Sequence, residues 1–447
     1  MSQPSIAPVQ PSAASVASMA ERARAASRAV ARLSSEERNK ALLAAAQAIE
    51  NNAQRILQAN ARDCSAAEEL VAAGKMTSAM LARLRVTERG VAQMARQIRE
   101  VASLPDPLRK RLAVTELDSG LVLIKESCPL GVVGVIFESR PDVVPQLASL
   151  GLKSGNAVIL KGGSEAAATT EALVAIWREA LAQFPDVPAD SVTLLQTRAD
   201  VLDLLSQDQN VDLIVPRGSY ELVHYVMRNS RIPVLGHGEG ICHVYVDRAA
   251  NVDKAVGISY DAKVQYPAVC NAAETLLVHE EIARQFLPVI VAKLKDAGVE
   301  IRGCAKTLAL LPDQAIILAD EKDWRTEYSA LILSVKIVTS LDEAIDHINV
   351  YGSHHTDTIV TEDADGAAKF MNEVDSAGVF QNASTRFADG FRYGFGAEVG
   401  ISNGKLHARG PMGLEGLTTY KYKLYGSGQV VADYVSGKRH FTHRPLQ

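Results

Sequence analysis

The chain has 447 residues, 47% hydrophobic and 22% charged, with a net charge of −5. That is the balance of a globular protein with about three domains' worth of chain and a sizeable core. No basic block argues for a nucleic-acid partner, and no apolar run approaches the ~18 residues of a membrane span.

The opening "MSQPSIAPVQPSAAS" has no basic start and no apolar centre, so it is not a secretory signal. Residues 1–15 are expected to be a flexible tail. From Val16 the chain is rich in Ala, Arg and Glu at helical spacing. "SSEERNKALLAAAQAIENN" opens with a capping box, in which Ser34 and Glu37 satisfy each other's backbone N–H groups. These helices stop near "LPDPL". Residues 112–127 alternate around Asp118-Ser119-Gly120 and predict a long hairpin. Its open edges require a partner, such as another subunit.

From Cys128 the texture changes. "GVVGVIF", "NAVILKG", "VTLLQ" and "VDLIVP" are continuous apolar runs, as strands buried on both faces should be. Helical stretches separate them. The rhythm restarts after Gly240 with "ICHVYVD", "ETLLVH", "AIILAD", "SVKIV", "DTIVT" and "GVFQNAS". This predicts an α/β protein of two doubly wound domains facing a cleft, one built from 16–111 and 128–239, the other from 240–416. The hairpin and residues 417–447 are expected to stand apart from both.

Five cysteines (Cys64, Cys128, Cys242, Cys270, Cys304) are scattered, with no CxxC pair. This points to a reducing compartment, the cytoplasm, and away from a zinc site or disulfide framework. Free cysteines are mostly buried and inert, so composition singles out none of them. Position favours Cys270, which lies between a helical window broken by Pro267 and a buried strand. A loop there can present a thiolate, a good nucleophile at neutral pH.

"KGGSEA" follows a strand and opens a helix, with Ser164 as the expected cap; "PRGSYE" does the same. Helix starts of this kind hold phosphate, and ordinary turns need the same residues. In "YGSHHTD" adjacent histidines point oppositely, which suits an anion contact better than a metal. Arg386, Arg392 and Arg409 lie on glycine-rich loops that either line an anion pocket or are solvated surface.

Taken in order, "GVVGVIFESRP", "SGNAVILKGGSEA", "VDLIVPRGS", "PAVCNAAETLLVH", "INVYGSHHTDTIVT" and "GPMGLEGLTTYKY" resemble the gamma-glutamyl phosphate reductase (glutamate-5-semialdehyde dehydrogenase) branch of the aldehyde dehydrogenase superfamily. The resemblance runs from about residue 16 nearly to the end. It implies an NADPH-dependent reduction of L-glutamyl 5-phosphate to the semialdehyde with release of phosphate, the second step of proline biosynthesis. Cys270 falls at the superfamily's nucleophile, and its backbone N–H, with Asn271 as a weaker candidate, would stabilise the oxyanion.

Two departures from the wider superfamily stand out. Leu235 occupies the place of the glutamate that activates water in hydrolytic members, and Glu239 aligns elsewhere. Ser139 replaces an oxyanion asparagine. By the same resemblance the first domain binds NADP(H) through Lys161, Gly162, Gly163, Ser164, Gly218 and Ser219, with Glu327 on the nicotinamide ribose. Ser164 replaces an acidic residue of NAD-preferring relatives, so a 2′-phosphate would meet no repulsion and could pair with Lys161. Glu138, Arg140, His355, Asn382, Ser384, Arg386 and Arg409 are the expected substrate contacts, and no metal is expected. The hairpin resembles an oligomerisation flap, which implies a homodimer or larger homo-oligomer. Glutamate 5-kinase is the implied upstream partner. A CoA-acylating or hydrolytic aldehyde dehydrogenase on the same scaffold, and a nucleotide-binding protein without activity, remain as alternatives.

Overall fold

The computed structural model describes residues 15–138, 140–236 and 238–446. The expected tail (save Ser15) and the expected role of Ser139 fall outside them. The chain forms two compact units. One runs to Leu235 and resumes at Gly413, and the other is Gly236–Met412.

The first unit begins with five helices between Val16 and Ser103. The capping box forms: Ser34 Oγ accepts the Glu37 N–H, and the Glu37 carboxylate accepts the Ser34 N–H at 2.6 Å. That helix buries Ala41, Leu42, Ala45, Ala46 and Ile49, the stripe its spacing predicts. Strands β1 (Arg111–Asp118) and β2 (Leu121–Pro129) form the antiparallel hairpin. Gly120 turns it at φ +71°, a conformation that favours glycine.

Strands β3 (Val132–Phe137), β4 (Ala157–Lys161), β5 (Val192–Leu194) and β6 (Leu213–Arg217) make a parallel sheet in the order β5-β4-β3-β6. Every residue of β3 and β4 is buried, which is why their sequences do not alternate. The strand order reverses beside β3. The carboxyl ends of β3 and β6 therefore flank a topological switch point, the usual ligand crevice of such sheets.

The second unit holds a seven-stranded parallel sheet. It comprises β7 (Cys242–Val246), β8 (Ala273–His279), β9 (Glu300–Gly303), β10 (Ile317–Leu318), β11 (Ile332–Val338), β12 (Thr356–Val360) and β13 (Gly378–Gln381), in the order β10-β9-β11-β8-β7-β12-β13. A small antiparallel pair follows, β14 (Ile401–Ser402) with β15 (Gly410–Pro411). The chain then returns to the first unit. There β16 (Thr418–Tyr425) and β17 (Arg444–Leu446) complete a sheet in the order β16-β2-β1-β17. Both edges of the hairpin are thus covered by the chain's own later segment. Among the described residues no helix is long and apolar enough to cross a membrane.

Candidate active site

The helix Val252–Val264 ends before Pro267, and a turn closes where the Ala272 N–H reaches the Val269 carbonyl at 2.9 Å. Cys270 and Asn271 are its two corner residues, just ahead of β8. Among the described residues no acceptor takes the N–H of either one. Cys270 is partly exposed, whereas Cys242 is fully buried. Burial, reinforced by Asp357 and Cys270, pushes the Cys242 thiol well above the usual range. Burial also raises the Cys64 and Cys128 thiols.

Several groups fix the turn. Cys242 Sγ lies 3.2 Å from the Cys270 carbonyl oxygen, and His355 Nδ1 is 3.7 Å from the same sulfur. A Cβ on Gly240 would overlap the Cys270 carbonyl oxygen and Cα and come within 2.6 Å of its carbonyl carbon, so no other residue fits. Asn271 is buried. Its Nδ2 donates to the Ala388 carbonyl at 2.8 Å, and its own carbonyl accepts Thr385 Oγ1 at 2.7 Å. The Asn271 amide is therefore a strut to the 385–388 turn, and its backbone N–H is the better-placed donor.

Arg386 is brought to the same place. It is buried, and its Nε donates to Gln265 Oε1 at 3.0 Å. Burial lowers its pKa and Arg392 adds to this, while Asp261 and Cys270 act in the opposite sense. Arg386 is thus a buried cation within electrostatic reach of the Cys270 sulfur. Ser384 Oγ accepts the Arg386 N–H at 3.3 Å and so shapes the turn that carries it.

Other expected contacts have structural employment. Asn382, at φ +51°, holds both backbone groups of Thr361, donating to its carbonyl at 2.9 Å and accepting its N–H at 3.0 Å. Arg409 donates to Asp375 Oδ1 at 3.1 Å, beside Lys405 at 2.6 Å. Lys405 first, then Arg409, hold that carboxyl below its usual range. His355 is buried, with Nδ1 3.0 Å from Thr356 Oγ1.

One buried feature escaped sequence reasoning. Lys263 Nζ meets Glu274 Oε2 at 2.6 Å with both side chains fully buried, and Glu274 Oε1 accepts the Ser329 N–H at 3.3 Å. Burial raises the Glu274 pKa to about 7 and lowers that of Lys263. Glu327 lies two residues before Ser329 and bears electrostatically on both. A glutamate inside the wholly buried strand "AETLLVH" was the available signal.

In the first unit the cofactor candidates lie at the carboxyl ends of the strands. Ser219 Oγ caps the helix Tyr220–Asn229 by accepting the Leu222 N–H. The Ser219 N–H is bonded at 2.8 Å by Glu138, whose carboxylate Cδ would lie 2.8 Å from a Cβ on Gly218. Glu138 therefore belongs with the Gly218-Ser219 turn. Arg140 pairs with Asp142 at 2.9 Å.

Lys161 is buried, and its ammonium turns onto the Gly162 carbonyl; burial lowers its pKa. Gly162 packs on the Phe137 ring, which a Cβ would meet at 3.2 Å. Ser164 is not the helix cap. It begins a short 3₁₀ turn, and Asp63 caps the helix instead, accepting the Ala168 and Thr169 N–H groups at 3.1 and 2.8 Å. Nor is the turn free of negative charge. The Glu165 carboxylate folds over Gly163 and is the strongest charge acting on Lys161. Among the described residues no group of three or more His, Cys, Asp or Glu could hold a metal ion.

The family model of aldehyde dehydrogenases matches residues 4–302, and the chain belongs to that family. A gamma-glutamyl phosphate reductase of Synechococcus sp. (strain JA-3-3Ab) is 55% identical over 94% of this chain and 92% of its own length. The crystal structure of the gamma-glutamyl phosphate reductase of Thermotoga maritima is 40% identical, with a TM-score of 0.90 over 93% of this chain and 100% of that one. The acetylating aldehyde dehydrogenase of Geobacillus thermoglucosidasius shares the fold at 18% identity, with a TM-score of 0.63 over 93% of this chain and 97% of its own.

Proposed function

We propose that this chain reduces L-glutamyl 5-phosphate to L-glutamate 5-semialdehyde with NADPH, releasing phosphate, as the second step of L-proline biosynthesis. The observation that carries this reading is the Cys270 turn: a partly exposed thiol, two N–H groups unbonded among the described residues and a buried arginine, in a chain 55% identical to a gamma-glutamyl phosphate reductase.

The Cys270 thiolate attacks the acyl carbon, and the oxyanion is taken by the N–H groups of Cys270 and Asn271. The carbon–sulfur bond forms, the carbon–oxygen bond to phosphate breaks, and phosphate leaves with the electron pair. Reduction of the thioester and collapse of the hemithioacetal return the thiolate and release the aldehyde. Arg386 offers its remaining N–H groups to a substrate anion. Asn382, Ser384 and Arg409 support the loops around it, and His355 supports Cys242. Leu235 in place of a carboxylate leaves the thioester without a base to activate water.

Lys161, Gly162, Gly163, Ser164, Gly218, Ser219 and Glu327 would hold the nicotinamide cofactor, which supplies the hydride when bound. Their fit rests on the switch point beside β3, the tight turns at Gly162 and Gly218, and the buried cation Lys161. We place the enzyme in the cytoplasm as a homo-oligomer that takes its substrate from a glutamate 5-kinase. The outer edge of β16, with exposed Tyr420, Tyr422 and Leu424, favours such an assembly.

The test is the reverse reaction. Glutamate 5-semialdehyde and NADP⁺ should yield NADPH only when inorganic phosphate is present. NADPH formed equally without phosphate would mean that water releases the acyl group, and the reading would fail.

A further inference from the structure

The backbone of the nucleophile turn is held from below by one short segment, and neither of the residues that hold it was expected to matter. Gly240 and Cys242 stand two apart in an extended stretch, so they present the same face. Gly240 packs its Cα against the Cys270 peptide where any Cβ would collide. Cys242 places its sulfur 3.2 Å from the Cys270 carbonyl oxygen. A β-bulge marks the same point. Cys242 pairs with Ala273 but His243 pairs with Thr275, which leaves Glu274 over to meet Lys263. Bulges next to reactive groups re-aim side chains in this way.

We propose that Cys242 is a positioning residue for the reaction, its S–H donating to the Cys270 carbonyl so that the Cys270 and Asn271 N–H groups stay directed at the developing oxyanion. The inference rests on Cys270 being the nucleophile. The carbonyl that Cys242 bonds belongs to the same peptide group as the Asn271 N–H. A donor on that oxygen polarises the amide and strengthens the N–H on its far side. Cys242 suits a fixed donor. It is fully buried, its thiol stays protonated, and its sulfur accepts the Thr356 N–H while His355 Nδ1 lies 3.7 Å away. The Cys270 carbonyl can only accept and is the nearer partner, at 3.2 Å against 3.7 Å for His355 Nδ1, so it takes the thiol proton.

The experiment compares Cys242→Ala and Cys242→Ser with wild type in the phosphate-dependent reverse reaction, and measures iodoacetamide alkylation of Cys270. Removing an oxyanion-hole donor outright costs about 10²–10³ in kcat, so an indirect loss in Cys242→Ala should lower kcat about tenfold with KM within about twofold. Cys242→Ser keeps a donor and should recover most of the loss. Alkylation needs no oxyanion hole and should stay within about twofold of wild type in both variants. If Cys242→Ala does not fold, Cys242→Val fills the same space without a donor and takes its place.

Unchanged kcat in the donor-less variant would overturn the assignment. So would a serine variant as slow as alanine, or alkylation that falls in step with kcat. Wild type without phosphate-dependent turnover would overturn the functional reading and this inference together. Wild-type turnover with an unaffected Cys242→Ala would overturn this inference alone.

Discussion

Lys263 and Glu274 meet at 2.6 Å with both side chains buried from solvent, the lysine before the nucleophile in the chain and the glutamate after it. Taking one partner away leaves the other charge unpaired in the core. Lys263→Ala should therefore destabilise the fold by about 3–5 kcal/mol, measured by urea unfolding. An unchanged denaturation midpoint would contradict this.

The same pair gives stability a pH dependence. Burial raises Glu274 from its ordinary 4.5 to about 7, so between those limits the folded state binds more protons than the unfolded state. The contribution of Glu274 is then fully present below about pH 4.5 and is lost as pH rises toward 7. Glu274→Gln, which cannot titrate, should flatten the wild-type fall in stability across that window. A fall of equal slope in both proteins would assign it to other groups.

Cys270→Ala should abolish turnover while leaving cofactor binding intact, since the thiol is the proposed nucleophile and is not among the residues that would hold the cofactor. Nucleotide fluorescence titration separates the two effects. Turnover near the wild-type rate would remove Cys270 from the mechanism.

Cofactor preference should respond to charge beside Lys161. Leu195 donates to the Leu160 carbonyl at 2.8 Å, which brings the 196–200 turn alongside Lys161, and Asp200 holds the Gln196 and Thr197 N–H groups of that turn. Arg198 on that turn is exposed and acts electrostatically on Lys161. Arg198→Ala should lower kcat/KM for NADPH about tenfold and leave NADH nearly unchanged, as expected for one lost cationic contact to a phosphate. Ser164→Glu should shift preference toward NADH, and Glu165→Gln away from it. An unmoved NADPH/NADH ratio in all three variants would place the 2′-phosphate elsewhere.

Gly240→Ala should displace the nucleophile turn itself, because its Cβ would enter space held by the Cys270 backbone. Both turnover and Cys270 alkylation should fall, whereas Cys242→Ala should lower turnover alone. Wild-type alkylation in this variant would show that the turn can move aside.

The strands and the first capping box were legible because their causes are local. Apolar runs buried on both faces do not alternate, and Ser34 and Glu37 lie three residues apart. The expected cap at Ser164 was not borne out, because Asp63, 105 residues from Ala168, takes that task. Strand β9 escaped notice because "EIRG" is only four residues long, with Glu300 and Arg302 paired on one face and Ile301 its one large apolar residue. Asn382 and Arg409 were expected among the substrate contacts, and the structure engages them with Thr361 and Asp375. Cys242 looked like one more inert cysteine until folding placed it under Cys270. What a side chain faces depends on contacts that span tens to hundreds of residues, and residue type does not encode them.

The hairpin flanked by β16 and β17 carries a consequence for birth on the ribosome. Asp118 and its partner Arg439 are 321 residues apart. At ~5–20 residues per second, the hairpin emerges about 15–60 s before the strands that cover it. For that interval its two margins are unpaired, and nascent copies on one message can find each other. Chaperone dependence during synthesis, rather than fragility once complete, is the cost this topology carries.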